Sequence, residues 1–228
     1  MKITYIILTS FFVLVACNHN GINQQSSDFS ISSTDSLKKS VEKSTPQNDK
    51  LNSLDQALTK DIDFDRIKDT ICIDSKASTI MCKLSSLNFQ ELSSEHIEVL
   101  NFDSGLKSTI DGFEFYNNGM RAGFKNQFRY NVNTKKVELI SLSEYYYGNM
   151  SGEGSGQSSM NLLTGEYIGN WSYFDIAHDT LVEIPTIKTK MNFKRVTLED
   201  FNADVYFDFS EKSESVYNYY KDNMIENR

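Results

Sequence analysis

The sequence predicts a mainly β domain: an antiparallel sandwich or a partly closed, propeller-like barrel, with a short N-terminal helix and a C-terminal helix. Two observations predict it. Short runs rich in β-branched and aromatic residues succeed one another along most of the chain, and Asn, Gly, Asp or Ser turns separate them about every 8 to 14 residues. Strands alternating with helices would signal a parallel sheet, so this spacing points to antiparallel pairing.

The first expected element is a short helix leading into the domain, over residues 51–60, "LNSLDQALTK". "DTICIDSKASTIMCKL" places two β-branched runs, Thr70–Asp74 and Thr79–Leu84, around the polar "SKAS", which reads as a hairpin. A symmetric three-residue loop over Lys76–Ser78 would set Cys72 opposite Cys82, close enough for a disulfide; a four-residue loop would set Cys72 opposite Met81 and part the sulfurs. The strand signal then recurs in "EHIEVLNF", "DGFEFYNN", "NQFRYNVN", "KKVELISLSEYYYG", "SGQSSMNLLTG", "EYIGNWSYFD", "TLVEIPTIKTKM" and "ADVYFDFS". Pro185 confines its strand to an edge or marks where the strand begins. In "SESVYNYYKDNMIENR", Val216, Tyr220 and Met224 recur every four residues, giving the closing helix one apolar stripe.

Ahead of this domain, Lys2 precedes an apolar run from Ile3 to Ala16, the charged and apolar regions of a signal peptide over residues 1–16. About 14 apolar residues fall short of the roughly 20 that span a bilayer as a helix. Leu14-Val15-Ala16-Cys17 resembles the lipobox of bacterial lipoproteins. The resemblance implies cleavage before Cys17, diacylglycerol on its sulfur and a further acyl chain, such as palmitate, on the new N-terminus. With Asn18 next, it implies the periplasmic side of a Gram-negative outer membrane. Residues 17–50 are rich in Ser, Asn, Gln and Lys and too poor in apolar side chains to fold, which predicts a disordered tether to a single domain over 51–228.

Net charge is −8, spread along the chain, and no basic stripe exists to track a phosphate backbone; nucleic acid is therefore not an expected partner. The glycine-rich "GEGSGQSS" (152–159) lacks the lysine of a phosphate loop, and the residues after it read as strand rather than helix, so nucleotide is not expected either. The stretch is expected to be a mobile strand connection. "GEYIGNW" (165–171) resembles one unit of a MORN repeat, with Tyr167 and Trp171 on its hairpin.

"DIDFDRIKD" places Asp61, Asp63, Asp65 and Asp69 at positions 1, 3, 5 and 9, the spacing of hard oxygen ligands for calcium. Together with "TICIDS" it resembles the Asp-rich loop of FG-GAP and VCBS repeats, with Arg66 in place of the turn glycine. The departure implies a loop that keeps its turn rather than its ion, and no cofactor is otherwise expected.

Catalytic patterns are sparse. His19 lies in the tether, His96 and His178 are far apart in sequence, and there is neither a zinc HExxH nor a nucleophile elbow. Carboxylates at Glu114, Glu138, Glu144 and Glu183 are available, and the sequence selects none. Twelve tyrosines, clustered at Tyr145, Tyr146 and Tyr147 and again in "YNYY", point instead to a recognition surface, extended by Tyr167 and Trp171. "FRYNVNTKKVELISL" with "SSMNLLTGEYIGNW" after it resembles a group of β-rich secreted bacterial proteins and lipoproteins without an assigned activity.

The expectation is a lipid-anchored, non-enzymatic module that binds another protein. The alternatives are an immunity protein against an envelope-targeted toxin and a hydrolase of cell-wall or glycan substrates.

Overall fold

The computed structural model describes residues 56–226. The chain divides into two units, Met1–Gln47 and Asn48–Arg228, and all described residues belong to the second. The expected signal peptide, acylated Cys17 and most of the tether belong to the first, outside the described residues.

Two antiparallel sheets form the domain. The smaller has β1 (Ala57–Lys60), β2 (Asp69–Asp74), β3 (Thr79–Lys83) and β4 (Glu91–Ser93) in sequential order. The larger is a meander of β5 (Ser104–Ser108), β6 (Gly112–Asn118), β7 (Ala122–Asn131), β8 (Lys136–Tyr146), β9 (Gly156–Asn161) and β10 (Glu166–Asp175). β11 (Thr180–Glu183) and β12 (Ile187–Lys190) share the free edge of β10, and Pro185 falls between them, where no ladder needs its missing N–H. The sheet does not close: β5 forms one edge, and β11 with β12 the other. One long helix, α1 (Ala203–Glu226), ends the described chain.

Three sequence expectations change. The N-terminal helix is not formed where residues are described: Ala57–Lys60 pair with Cys72–Asp69 as β1, and the Lys60 ammonium donates to the carbonyls of Thr109 and, at 2.8 Å, Ile110. Tertiary pairing outweighs a weak local helix preference. Glu95–Phe102 is an irregular connection anchored by buried Ile97, whose N–H meets the Ser78 carbonyl at 2.8 Å. "ADVYFDFS" (203–210) opens α1 rather than forming a strand. Asn202 caps it, accepting the Asp204 N–H at 3.0 Å, and the side chains that go inward are Val205, Phe209, Ser213 and Tyr217, a strict four-residue period. The alternation of aromatics in "VYFDF" masks that period. Val216, Tyr220 and Met224 pack beside this stripe as its partly buried margin.

The β2–β3 hairpin takes the four-residue loop. Cys72 stands opposite Met81 and Cys82 opposite Ile71, so the expected disulfide between Cys72 and Cys82 is not formed. Adjacent register positions point to opposite faces of the sheet. Cys82 goes into the core, where burial pushes its thiol pKa up, while Cys72 faces the partly exposed side.

The core joins Ile71, Ile73, Ile80 and Cys82 of the small sheet to the inner face of the large one. Phe113 stacks on Phe128 at 5.1 Å, Phe201 meets Phe128 and Phe115 edge-on at 5.1 and 6.1 Å, and Tyr206 of α1 stacks on Phe124 at 4.1 Å. The helix therefore crosses the inner face of β7 to β10. At one margin the contact opens into a cleft.

Candidate binding cleft

The cleft lies between α1 and the sheet at Ala122 of β7, the end of β8 at Glu144-Tyr145-Tyr146, and Trp171 of β10. It has a volume of about 390 Å³; Glu144, Tyr146, Trp171 and Gly154 come from the sheet and its loop, and Tyr206, Ser210, Glu214 and Tyr217 from the helix. Strand alternation puts Glu144 and Tyr146 on this inner face and turns Tyr145 outward, where its ring covers Gly123 so closely that a Cβ there would lie 2.6 Å from it. Tyr145 still reaches Tyr147, with ring centroids 5.3 Å apart.

A buried line of hydrogen bonds leads into the cleft. The Trp171 indole N–H donates to the Tyr167 hydroxyl at 3.0 Å; Tyr167 and Ser213 are 2.9 Å apart, Ser213 and Ser158 3.0 Å, and Ser158 donates to the Glu144 carboxylate at 3.1 Å. Each hydroxyl has one proton. Because Ser158 gives its proton to Glu144, Ser213 must donate to Ser158 and Tyr167 to Ser213. All four bonds therefore run one way, from Trp171 to Glu144. Chains of this kind polarise one another in a low-dielectric interior. Burial raises the Tyr167 hydroxyl pKa and keeps it a donor.

The sequence-expected surface is thus split. Tyr146 and Tyr147 are exposed, Tyr145 is half-buried, and Trp171 is a buried residue in the cleft wall. Tyr167 is fully buried and leaves the surface altogether, because its position on β10 directs it under α1. Helical Tyr206 and Tyr217 replace it, and the strand reading of 203–210 had hidden that helix face.

The glycine-rich loop is not a slack connection. Gly148, Gly152 and Gly154 take left-handed φ of 69°, 84° and 72°, which allow a folded turn. Asn149 Oδ1 accepts from the N–H groups of Ser151 and Glu153, and the Arg121 guanidinium holds the carbonyls of Tyr147, Gly148 and Asn149. Glu153 latches the loop to the helix, accepting from Phe174 N–H at 2.6 Å, Tyr217 O–H at 2.8 Å and the Lys221 ammonium.

Burial acts to raise the Glu153 pKa, but the hydrogen bonds from Lys221, Phe174 and Tyr217 outweigh it and hold the carboxyl below its usual range. A depressed folded-state pKa contributes stability above the ordinary glutamate value, about 4.3, which is lost as pH falls through the folded-state value. Acidification below about pH 4.3 is therefore expected to release the loop, with faster exchange of the Phe174 amide as the readout. Glu153→Gln should lower stability by about 1 to 2 kcal/mol at neutral pH and remove that transition. An unchanged acid profile in the variant would place the transition elsewhere.

The aspartate loop is distant in sequence from the cleft. Ligand oxygens of Asp61, Asp63 and Asp65 lie within 4.8 Å of one another, and Arg66 adopts the left-handed φ of 74° that a glycine would take. Asp69 does not join them: Oδ2 accepts Ile62 N–H and Oδ1 accepts Ser85 N–H. All six oxygens of the other three also accept a donor: Phe64 and Arg66 for Asp61, Asp65 and Ser86 for Asp63, Ile67 and the Ser85 hydroxyl for Asp65. The carboxylates already serve the turn and Asp69 stands apart from them, so calcium would have to displace these donors to gather its six to eight oxygens. Calorimetric titration is expected to show no heat below about 1 mM calcium. Saturable heat there would restore the ion.

No protein-family model, curated protein or solved structure matches the chain, so the cleft is read from its own chemistry.

Proposed function

We propose that this is a lipid-anchored envelope protein that binds another protein through the end of the large sheet bearing Tyr145–Tyr147. The observation that carries the reading is the apolar display at that end. Antiparallel pairing brings the segment before β5 and the β6–β7, β8–β9 and β10–β11 turns together there, and they expose Phe102, Met120, Tyr147, Met150 and Ile176. Large apolar side chains at a loop cluster beside an aromatic cleft have the composition of a recognition surface. Methionine adapts to the partner, and tyrosine adds contact area at small entropic cost.

The experiment is capture from envelope extract with the full-length chain in detergent, compared with a Met120→Ser/Met150→Ser/Ile176→Ser variant. These residues are solvent-facing, so the variant should keep its stability. A partner retained by the wild type and lost by the variant supports the reading. No partner above background, or equal recovery by both, refutes it.

A second reading draws on a different observation: Glu144 and Glu214 line one aromatic cavity, as a glycan hydrolase requires of an acid and a base. Release of soluble fragments from peptidoglycan by the wild type, lost in Glu144→Gln and Glu214→Gln, would establish it. Absence of release removes it.

A further inference from the structure

We infer that the cleft between α1 and the sheet is a receptor for an organic cation, a guanidinium or ammonium side chain presented by the bound partner. The inference rests on the protein-binding reading above and names what enters the cleft.

Charge carries the argument. Glu144 is 8 % exposed, and among the described residues its hydrogen-bond donor is the neutral Ser158 hydroxyl. Buried carboxylates are ordinarily paired with a cation or held by several donors. Among the described residues no lysine or arginine lines the cavity, and neither Glu144 nor Glu214 forms a salt bridge. The nearby Lys221 is engaged by Glu153 instead. The lining therefore carries a buried carboxylate, Glu144, and an exposed one at its rim, Glu214, and no lysine or arginine to offset them.

The walls fit the same occupant. Trp171, Tyr206 and Tyr217 line the space around the carboxylates and offer apolar surface on which the methylene stem of such a side chain packs. The hydrogen-bond line from Trp171 ends on Glu144 Oε1, which fixes that carboxylate as an acceptor before any ligand arrives. A volume of about 390 Å³ admits the head and stem of one arginine or lysine side chain. An anionic ligand would meet Glu144 and Glu214 with no cation among the described lining residues to offset them.

Trp171 is the single tryptophan of the chain and lines this cleft, so its fluorescence reads occupancy, and the cleft variants assign the signal to it. The test titrates full-length protein in detergent with N-acetyl-arginine amide, and with the uncharged isostere N-acetyl-citrulline amide. Expected is a saturable change for the arginine compound with Kd on the order of 1 mM, the scale of a ligand with few contacts. Citrulline should bind at least about tenfold more weakly, and Glu144→Gln should remove the preference. Glu214→Gln, on the solvent side of the helix, should weaken arginine binding without threatening the fold, and Glu166→Gln, away from the cleft, should leave it unchanged.

Equal response to both compounds, or an unaltered response in Glu144→Gln and Glu214→Gln, overturns the inference. Quenching by N-acetylglucosamine oligomers without any by the arginine compound overturns it in favour of a glycan. Partner capture equally efficient in wild type and Glu144→Gln would overturn the cation while leaving the apolar surface reading intact.

Discussion

Gly156→Ala should destabilise the domain by about 3 kcal/mol or more and lower Tm by about 6 to 12 °C. Gly156 begins β9 with φ of 155°, and a Cβ there would lie 2.2 Å from the Asn170 carbonyl oxygen and 2.6 Å from the Trp171 ring. The first obstacle is backbone. Neither strand can withdraw without breaking the β9–β10 ladder, in which Gly156 pairs with Trp171. The displaced ring would also drag the indole N–H away from Tyr167, coupling the stability loss to the cleft. Gly154→Ala separates the two causes: its φ of 72° is unfavourable for alanine, but no atom lies within 4 Å of the added carbon. That variant should cost about 1 kcal/mol and leave Trp171 fluorescence unchanged. Comparable losses at both positions in thermal unfolding would show that backbone conformation, rather than space, governs Gly156.

Tyr167→Phe should cost about 2 to 3 kcal/mol although it removes a single oxygen. The ring is fully buried and the hydroxyl stands mid-chain, accepting from Trp171 and donating to Ser213. Its loss orphans a buried indole N–H and leaves Ser213 without its donor, and each unpaired buried group costs about 1 to 3 kcal/mol. Tyr167→Ala adds a cavity and should reach about 4 kcal/mol. Ser213→Ala breaks the same line, so the double variant Tyr167→Phe/Ser213→Ala should lose less than the sum of the singles. Denaturant titration reads all three. A Tyr167→Phe cost within about 0.5 kcal/mol of zero would mean that the line is not a cooperative unit.

Much of the architecture was legible in the sequence because strand periodicity is local. Residues 111–118, 126–133 and 135–148 alternate apolar and polar side chains; β6 and β8 lie within the first and last, and β7 overlaps the second but starts four residues earlier. Where reading failed, non-local terms decided. Ala57–Lys60 becomes a strand because β2 is available to pair with it. "ADVYFDF" satisfies an alternating template and a four-residue template at once, and the Asn202 cap with the inner face of the sheet selects the helix. The cysteine pair depended on one loop residue, and the four-residue loop sends the two thiols to opposite faces.

The candidate site was legible in half. Clustered tyrosines marked Tyr145–Tyr147, and "EYIGNW" marked Trp171 beside the glycine loop, because both are features of composition along the chain. Glu144 was one glutamate among several, and Ser158, Ser213, Tyr206 and Glu214 carried no signal. Their significance arises only where α1 crosses β8 to β10, joining residues as far apart in sequence as Ser158 and Ser213.

By itself, then, the sequence determined the antiparallel β character of most of residues 69–190, because alternation on a pleated strand needs no partner to be visible. Only the tertiary structure decided which buried tyrosine is architecture, which carboxylate faces a cavity and which glycine yields to an aromatic ring. Hydrogen-bond closure and the burial of a charge depend on distances across the fold, and no single segment encodes them.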